Sequence, residues 1–150
     1  FPAFLSTMRS PLLVLLLSAT ASSVYFSLNN GCSYTVNWYE HHIGPDPLST
    51  LAPNTGIQVE YDLDEYKFTN GINGKTSASL WPTFTHDQPI DIYTVDRSAG
   101  FDTPMQISPN GANLEYNLGC KNATCFAPNT SKQMVHLRSN QYNIWFCFPY

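Results

Sequence analysis

Carboxylates and histidines are the side chains of this sequence whose types could support metal binding or acid–base chemistry. Four carboxylates fall within one short stretch: Glu60, Asp62, Asp64 and Glu65. A calcium site needs about six to eight converging oxygens, and the sequence contains no Asp-x-Asp-x-Asp-Gly loop. The adjacent His41 and His42 would face opposite sides of a strand and could not chelate one ion. We therefore expect a solvated strand face, surface histidines, and neither a metal nor another cofactor.

The cysteines could form two disulfide bonds that staple a small domain. The four are Cys32, Cys120, Cys125 and Cys147. Neither neighbouring pair has the two-residue gap of a zinc knuckle, and four cysteines allow three pairings. The stretch between Cys120 and Cys125 could loop back on itself, whereas Cys32 and Cys147 lie near opposite ends of the mature chain. We predict the pairings 32 with 147 and 120 with 125, in an oxidising compartment where disulfides persist.

The first 21 residues have the pattern of a leader and a secretory signal peptide. Arg9 precedes an apolar stretch at 12–17, and small residues follow at 19–21. The apolar stretch is much shorter than the roughly 20 residues that cross a bilayer as a helix. We predict that residues 1–21 are removed and that residues 22–150 form one secreted, extracellular domain without a membrane span.

The composition indicates one packed domain. The chain of 150 residues is 43% hydrophobic, 14% aromatic and 12% charged, which argues against disorder because disordered chains are rich in charge and poor in aromatics. The formal net charge is −4 and no run of Lys or Arg occurs. Nucleic acid and anionic membranes are therefore excluded as partners at this stage, and we expect a monomer.

Short runs of β-branched and aromatic residues, separated by turn signals, predict strands throughout. Residues 24–28 and 33–39 flank Asn-Asn-Gly and predict an amino-terminal hairpin. Residues 57–63 alternate apolar and polar side chains, which predicts a half-buried strand with its carboxylates on the opposite face. Further strands are predicted at 66–68, 77–84, 90–95, 105–107, 114–116, 133–137 and 142–146. Because no window has amphipathic-helix spacing, the sequence predicts an all-β, antiparallel β-sandwich.

Five segments, in order, resemble landmarks of the thaumatin-like (pathogenesis-related) protein family. They are residues 30–36, 91–95, 100–105, 120–125 and 140–147. The most specific is Gly-Phe-Asp-Thr-Pro-Met at 100–105, which differs by one conservative change from the family's Gly-Phe-Asn-x-Pro-Met. The resemblance implies a thaumatin-like β-sandwich, and it independently implies the bridge between Cys32 and Cys147.

The chain also departs from the family pattern. Full-length members have many more cysteines and a disulfide-rich second domain before the last strand, where this chain has only the 21 residues 126–146. It resembles a reduced, single-domain member, and short secreted fungal proteins with a thaumatin-like core are similar in size. Loss of that domain would remove the family partners of Cys120 and Cys125, consistent with their pairing to each other.

The resemblance implies an acidic cleft that binds or slowly hydrolyses β-1,3-glucan. Asp91 matches the first aspartate of that cleft, but Thr94 stands at the second, and Pro82 lies in the segment where the family has a glutamate. Hydrolysis needs two carboxyl groups about 5 to 5.5 Å or 6.5 to 9.5 Å apart, so Asp91 with Asp96 or Asp102 are the catalytic candidates. Because Thr94 and Pro82 replace family carboxylates, and because the missing second domain would form the other wall of the cleft, we expect binding rather than turnover.

Aromatic side chains give a second functional clue, because flat rings can stack on sugars while neighbouring Asp and Asn bind hydroxyl groups. Six aromatics qualify: Trp38, Tyr39, Trp81, Tyr93, Tyr142 and Trp145. The alternative is that most of them belong to the core of the sandwich. The residues predicted to contact the ligand are Asp91, Asp102, Tyr93 and Trp81.

These observations predict a secreted thaumatin-like protein that binds cell-wall polysaccharide, β-1,3-glucan, in a defence, antifungal or wall-related role. One alternative is a secreted effector or hydrolase inhibitor that acts through a protein partner with its loops. The other is a weak β-1,3-glucanase. Asn122 and Asn129 begin two sequons for N-glycosylation.

Overall fold

Two β-sheets packed face to face make up the molecule. The computed structural model describes residues 23–41, 48–125 and 131–149; the predicted signal peptide, His42 and Asn129 lie outside this range. The strands are β1 (Ser23–Asn30), β2 (Val36–Glu40), β3 (Ser49–Leu51), β4 (Thr55–Asp62), β5 (Tyr66–Asn70), β6 (Ser77–Thr85), β7 (Gln88–Asp96), β8 (Met105–Pro109), β9 (Leu118–Cys120), β10 (Ser131–Leu137) and β11 (Gln141–Phe146). The predicted all-β sandwich is confirmed.

The strand orders are β4-β1-β11-β8-β9 in a five-stranded sheet and β10-β7-β6-β5-β2-β3 in a six-stranded sheet. All neighbouring pairs are antiparallel except β1 with β11, which is parallel. Because successive side chains of a strand point to opposite faces, each sheet has one face in the core and one face outside.

The core lies between the two sheets and is rich in aromatic rings. In β1, Val24, Phe26 and Leu28 are fully buried and alternate with partly exposed polar neighbours. The ring of Phe26 lies 4.8 Å from that of Phe68 in β5, which brings the two sheets into contact at the centre of the sandwich. Burial of such rings stabilises the fold both through apolar area and through their tilted packing.

The predicted amino-terminal hairpin is wrong, because β1 and β2 belong to different sheets. The Asn30 side chain directs this crossing: its amide donates to the Leu51 carbonyl at 2.8 Å and to the Tyr34 carbonyl at 2.9 Å, and its oxygen accepts from the Cys32 amide at 2.8 Å. At Gly31 a Cβ would lie 2.3 Å from the carbonyl oxygen of Cys147. The Asn-Asn-Gly segment therefore carries the chain from one sheet to the other instead of forming a hairpin turn within one sheet.

Two other strand predictions have opposite outcomes. The alternation at 57–63 is confirmed as β4, with Val59 and Tyr61 packed against the core and Glu60 outside. The strand predicted at 114–116 is instead a single turn of 3₁₀ helix, closed by the Asn117 amide donating to the Leu114 carbonyl at 3.0 Å. Three residues that alternate in polarity are compatible with either structure, since so short a run has no distinguishing period.

Both predicted disulfide bonds are present. Cys32 and Cys147 join the ends of β1 and β11 across a sequence separation of 115 residues, and Cys120 and Cys125 close a loop at the end of β9. The bridge between Cys32 and Cys147 closes the longer loop and removes more entropy from the unfolded chain.

Candidate functional site

Asp91, a predicted catalytic and binding residue, lies inside the sandwich. Its side chain has no exposed surface. One carboxylate oxygen pairs with the Arg138 guanidinium at 3.1 Å; the other accepts from the Tyr142 hydroxyl at 2.5 Å and the Ser139 amide at 3.0 Å. Burial together with this carboxylate raises the pKa of Tyr142 far above its ordinary value. The carboxylate is fully engaged in joining β7 to β11.

Tyr93 is also buried. It lies two residues after Asp91 on the same inward side of β7, has no exposed surface, and donates its hydroxyl to the Tyr116 carbonyl at 2.7 Å. Burial raises the pKa of Tyr93 to about 12. The prediction that Asp91 and Tyr93 contact a ligand is therefore corrected, because neither side chain reaches the surface.

Asp102, the third predicted carboxylate, is exposed but organises a loop. Its two oxygens accept from the backbone amides of Lys75 at 2.6 Å and Thr76 at 3.0 Å, at the start of β6. Gly100 adopts a φ of +119°, and a Cβ there would meet the Lys75 side chain at 3.0 Å. The segment at 100–105 thus ties the loop before β8 to the start of β6.

Trp81 and Asp96 come together on the outer face of the six-stranded sheet. They border a groove of about 410 Å³, which we call the β6–β7 groove. It is lined by Glu65, Lys67, Ser77, Ser79, Trp81, Thr94, Asp96, Ser131 and Gln133. The register explains this set, because Gln133, Thr94, Ser79 and Lys67 lie side by side across four adjacent strands.

Small hydroxyl residues form the floor of the β6–β7 groove. Ser77, Ser79 and Thr94 are only 3% to 6% exposed, because the longer side chains beside them rise above the sheet. Among the described residues, none of these three hydroxyl groups has a hydrogen-bond partner. They are therefore available to a ligand, as donors and as acceptors.

The charges of the groove are mixed. Asp96 accepts from the Ser98 amide at 2.8 Å and the Ser98 hydroxyl at 3.0 Å, while Lys67 and Glu65 lie along the opposite wall. Asp91 and Asp96 are five residues apart on β7 and consequently point to opposite faces of the sheet. They cannot flank one glycosidic bond.

An apolar band continues from the groove along the same outer face. Trp81, Ile92 and Val135 lie side by side in the register, and Val135 is 51% exposed. Leu137, 62% exposed, extends the band toward the β6–β7 turn. Phe84 lies on the opposite face of β6, where the Arg138 guanidinium is 4.8 Å from the centre of its ring. The outer face therefore combines a polar groove with an exposed apolar edge.

The remaining candidates lie elsewhere. Asn122 is exposed, and its side-chain oxygen accepts from the amide and hydroxyl of Thr124 at 2.9 and 2.8 Å. His41 shares a 2.7 Å hydrogen bond with the Thr69 hydroxyl. Within 23–41, 48–125 and 131–149, no group of three or more His, Cys, Asp or Glu side chains is arranged to hold a metal ion. In the same ranges, no helix has the length and apolarity to cross a membrane.

Comparison with known proteins identifies a fold neighbour. No family model and no curated protein sequence matches this chain. The crystal structure of the protein elicitor MoHrip2 from Magnaporthe oryzae is similar, with a TM-score of 0.59 and 15% sequence identity over 83% of this chain and 99% of that one. At this identity the likeness shows a shared fold.

Sequence reasoning missed the floor of the β6–β7 groove. The sequence marks Thr94 only as a departure from the family's aspartate, and no motif marks Ser77 or Ser79. A signal was present, since Ser77, Ser79 and Trp81 occupy alternate positions of one strand and so share a face. The burial of Asp91 was also encoded, because it alternates with Tyr93 and Val95.

Proposed function

We propose that this chain is a secreted thaumatin-like protein that binds cell-wall polysaccharide, β-1,3-glucan, in the β6–β7 groove without hydrolysing it. The observation that carries the proposal is the groove of about 410 Å³ with three unengaged hydroxyl groups on its floor and Trp81 at its border. The two disulfide bonds support an extracellular location. Asn122, exposed in its sequon, is the proposed glycosylation site.

The chemistry of the groove suits a sugar. Each hydroxyl group of a hexose both donates and accepts, and Ser77, Ser79, Thr94 and Gln133 offer both functions. Trp81 supplies a flat apolar surface for the carbon–hydrogen face of a sugar ring. A few placed polar groups beside an apolar surface are the usual means by which a concave site orients its ligand.

Binding without turnover follows from the placement of the carboxylates. Asp91 is inside the sandwich. Asp96 and Glu65 line the groove from β7 and from the residue before β5, two strands away. In the register Asp96 is level with Thr69 of β5, and Glu65 is four residues before Thr69. The backbones of Asp96 and Glu65 are therefore separated by roughly 16 Å. Hydrolases hold their two carboxyl groups within about 9.5 Å of each other.

The test is retention of residues 22–150 on insoluble β-1,3-glucan, with chitin and cellulose in parallel. We expect selective retention on glucan, a loss of at least tenfold in affinity for Trp81→Ala, and no release of reducing ends. Ile72→Ala is the matched control, since Ile72 is an exposed apolar side chain in a distant turn. Equal retention of both variants, or release of reducing ends by the wild type, would contradict the proposal.

A second candidate function is that of a secreted effector or hydrolase inhibitor that acts on a protein partner. The exposed apolar band supports it, with Val135 51% and Leu137 62% exposed, as does the description of MoHrip2 as a protein elicitor. We expect such a protein to inhibit one of a panel of purified wall-degrading hydrolases, and Val135→Lys to abolish that inhibition while leaving glucan retention intact. No inhibition of any hydrolase in the panel would remove the hydrolase inhibitor as a candidate.

A further inference from the structure

Trp145 lies on the outer face of the other, five-stranded sheet, near the end of its central strand, β11. It points outward because its neighbours in β11, Ile144 and Phe146, are fully buried. In the register, Asn29 lies on one side of Trp145 and Gln106 on the other. Gly56 and Gly119 lie beyond them and complete a row across all five strands, a span of about 19 Å.

An open cleft lies on each side of the Trp145 ring. One, of about 320 Å³, is lined by Trp145 together with Gln106, Ser108, Asn117, Asn143 and Phe148 among others. The other, of about 240 Å³, is lined by Trp145 with Asn29, Asn54, Thr55 and Gly56 among others. Close packing requires glycine at both ends of the row: a Cβ at Gly56 would lie 2.7 Å from the Asn29 side-chain oxygen, and one at Gly119 would lie 2.9 Å from the Phe148 ring. The tryptophan therefore stands between two depressions.

This surface has no charge. The row through Trp145 consists of glycine and amide side chains, and the adjacent row contains Gln58, Ser27, Asn143 and Ser108. The nearest charged groups lie outside both rows. Glu60 accepts from the Tyr25 hydroxyl at 2.9 Å, and the Lys121 ammonium lies 5.9 Å from the Phe148 ring centre, beyond the glycine end.

Part of the amide set is held in place and part is free. Asn143 donates to Asn110 at 3.3 Å, Asn110 donates to Gln141 at 2.9 Å, and Gln141 donates to the Ser27 hydroxyl at 3.3 Å. Among the described residues, the side chains of Gln106 and Asn117 have no hydrogen-bond partner. A side-chain amide both donates and accepts hydrogen bonds. Gln106 and Asn117 therefore suit ligand groups that also donate and accept, such as hydroxyl groups.

We propose that this surface, the Trp145 face, is a second carbohydrate-binding site that takes an uncharged polysaccharide chain laid across the strands, with one sugar ring stacked on Trp145. An acidic or basic ligand would find no opposite charge there. Trp145 and Phe148 offer flat rings to the carbon–hydrogen faces of sugars, and the amide side chains beside them suit the hydroxyl groups. The site is separate from the β6–β7 groove because it lies on the other side of the sandwich.

The three tryptophans allow one titration to test both sites. In a proton–nitrogen NMR spectrum each indole N–H gives its own signal: Trp38 is buried and serves as an internal control, Trp81 reports the β6–β7 groove, and Trp145 reports the Trp145 face. The probes are hexasaccharides of β-1,3-glucose, β-1,4-glucose and β-1,4-N-acetylglucosamine, with an acidic hexagalacturonate as the charged comparison. We expect at least one neutral hexasaccharide to shift the Trp145 signal in a saturable way and hexagalacturonate to leave it unchanged.

Variants separate this inference from the proposed function. Trp145→Thr, which removes the ring and places a residue of high strand propensity in β11, should weaken binding of the neutral probe at least tenfold without altering the Trp81 response. Trp145→Tyr should restore most of the affinity. Gln106→Leu, which preserves volume and removes the amide, provides the second test and should weaken binding several-fold. The inference is overturned if no neutral probe shifts Trp145, if the acidic probe shifts it equally, or if its signal changes with protein concentration alone, which would indicate a second copy as the occupant.

Discussion

The two sides of strand β7 carry the same kinds of residues and have opposite roles. Asp91 and Tyr93 point inward. The Asp91 carboxylate pairs with Arg138 and accepts a hydrogen bond from Tyr142, and the Tyr93 hydroxyl donates to the Tyr116 carbonyl. Thr94 and Asp96 point outward and line the β6–β7 groove. Burial decides the difference, because a carboxylate without exposed surface can stabilise the fold but cannot meet a polymer.

Substitutions on the inward side of β7 should cause the greatest loss of stability. Asp91→Ala leaves Arg138 without its carboxylate partner, and breaking a buried ion pair in this way costs about 3 to 5 kcal/mol. We expect the free energy of unfolding, measured by urea denaturation, to fall by that amount. A loss below about 1 kcal/mol would show that Asp91 is not the structural centre described here.

Tyr142→Phe sharpens the same comparison by removing one hydrogen bond and keeping the ring. The Tyr142 hydroxyl donates to Asp91 at 2.5 Å, and a hydrogen bond to a charged group is worth about 1.5 to 3 kcal/mol. We expect urea denaturation to show a loss of unfolding free energy in this smaller range, because the Asp91 carboxylate still bonds to Arg138 and to the Ser139 amide. A loss as large as that of Asp91→Ala would mean that Tyr142, rather than Arg138, dominates the site.

Alkaline pH should unfold the molecule from its inner side. Burial raises the pKa to about 12 for three tyrosines: Tyr61, Tyr66 and Tyr93. A raised pKa means that the folded state favours the neutral phenol, so this stabilisation is complete below pH 10 and is lost as the pH rises from 10 through 12. The part of the tyrosinate absorbance that comes from the buried rings should change together with the circular dichroism in that window. Ionisation of all nine tyrosines near pH 10 with unchanged circular dichroism would contradict the burial of these rings.

The smallest effect on stability is expected on the outward side. Thr94→Val and Ser79→Ala remove hydroxyl groups that have no partner among the described residues, so stability should change by about 0.5 kcal/mol or less. Affinity for β-1,3-glucan should nevertheless fall several-fold in each variant. Calorimetric unfolding and glucan binding of the same preparations would separate the two effects, and unchanged binding in both variants would argue against the groove.

Alternation in the sequence predicted which residues share a face, but not which layer each strand joins. It placed β4 and β11 correctly, and the cysteine spacing gave both disulfide bonds. Alternation did not predict the connection from β1 to β2. The same Asn-Asn-Gly sequence is compatible with a hairpin turn and with a crossing between sheets, and the hydrogen bond from the Asn30 side chain to the Leu51 carbonyl selects the crossing.

The candidate site was predictable only in part. The sequence predicts Trp81 and Asp96 as site residues. It also predicts ligand contact for Asp91 and Tyr93, although both alternate with buried Val95 and are themselves buried. The groove itself depends on β10 lying beside β7, a pairing between residues far apart in the chain. No local pattern contains that information, so Gln133 could not be assigned to the site from the sequence.

The most direct measurement is a side-by-side determination of the dissociation constant for β-1,3-glucan with wild type, Trp81→Ala and Asp91→Asn. It should be made at a temperature at which circular dichroism shows all three proteins folded. We expect at least a tenfold weakening for Trp81→Ala and a change within about twofold for Asp91→Asn. Strong weakening for folded Asp91→Asn with unchanged binding for Trp81→Ala would contradict it and assign the binding to the inner carboxylate.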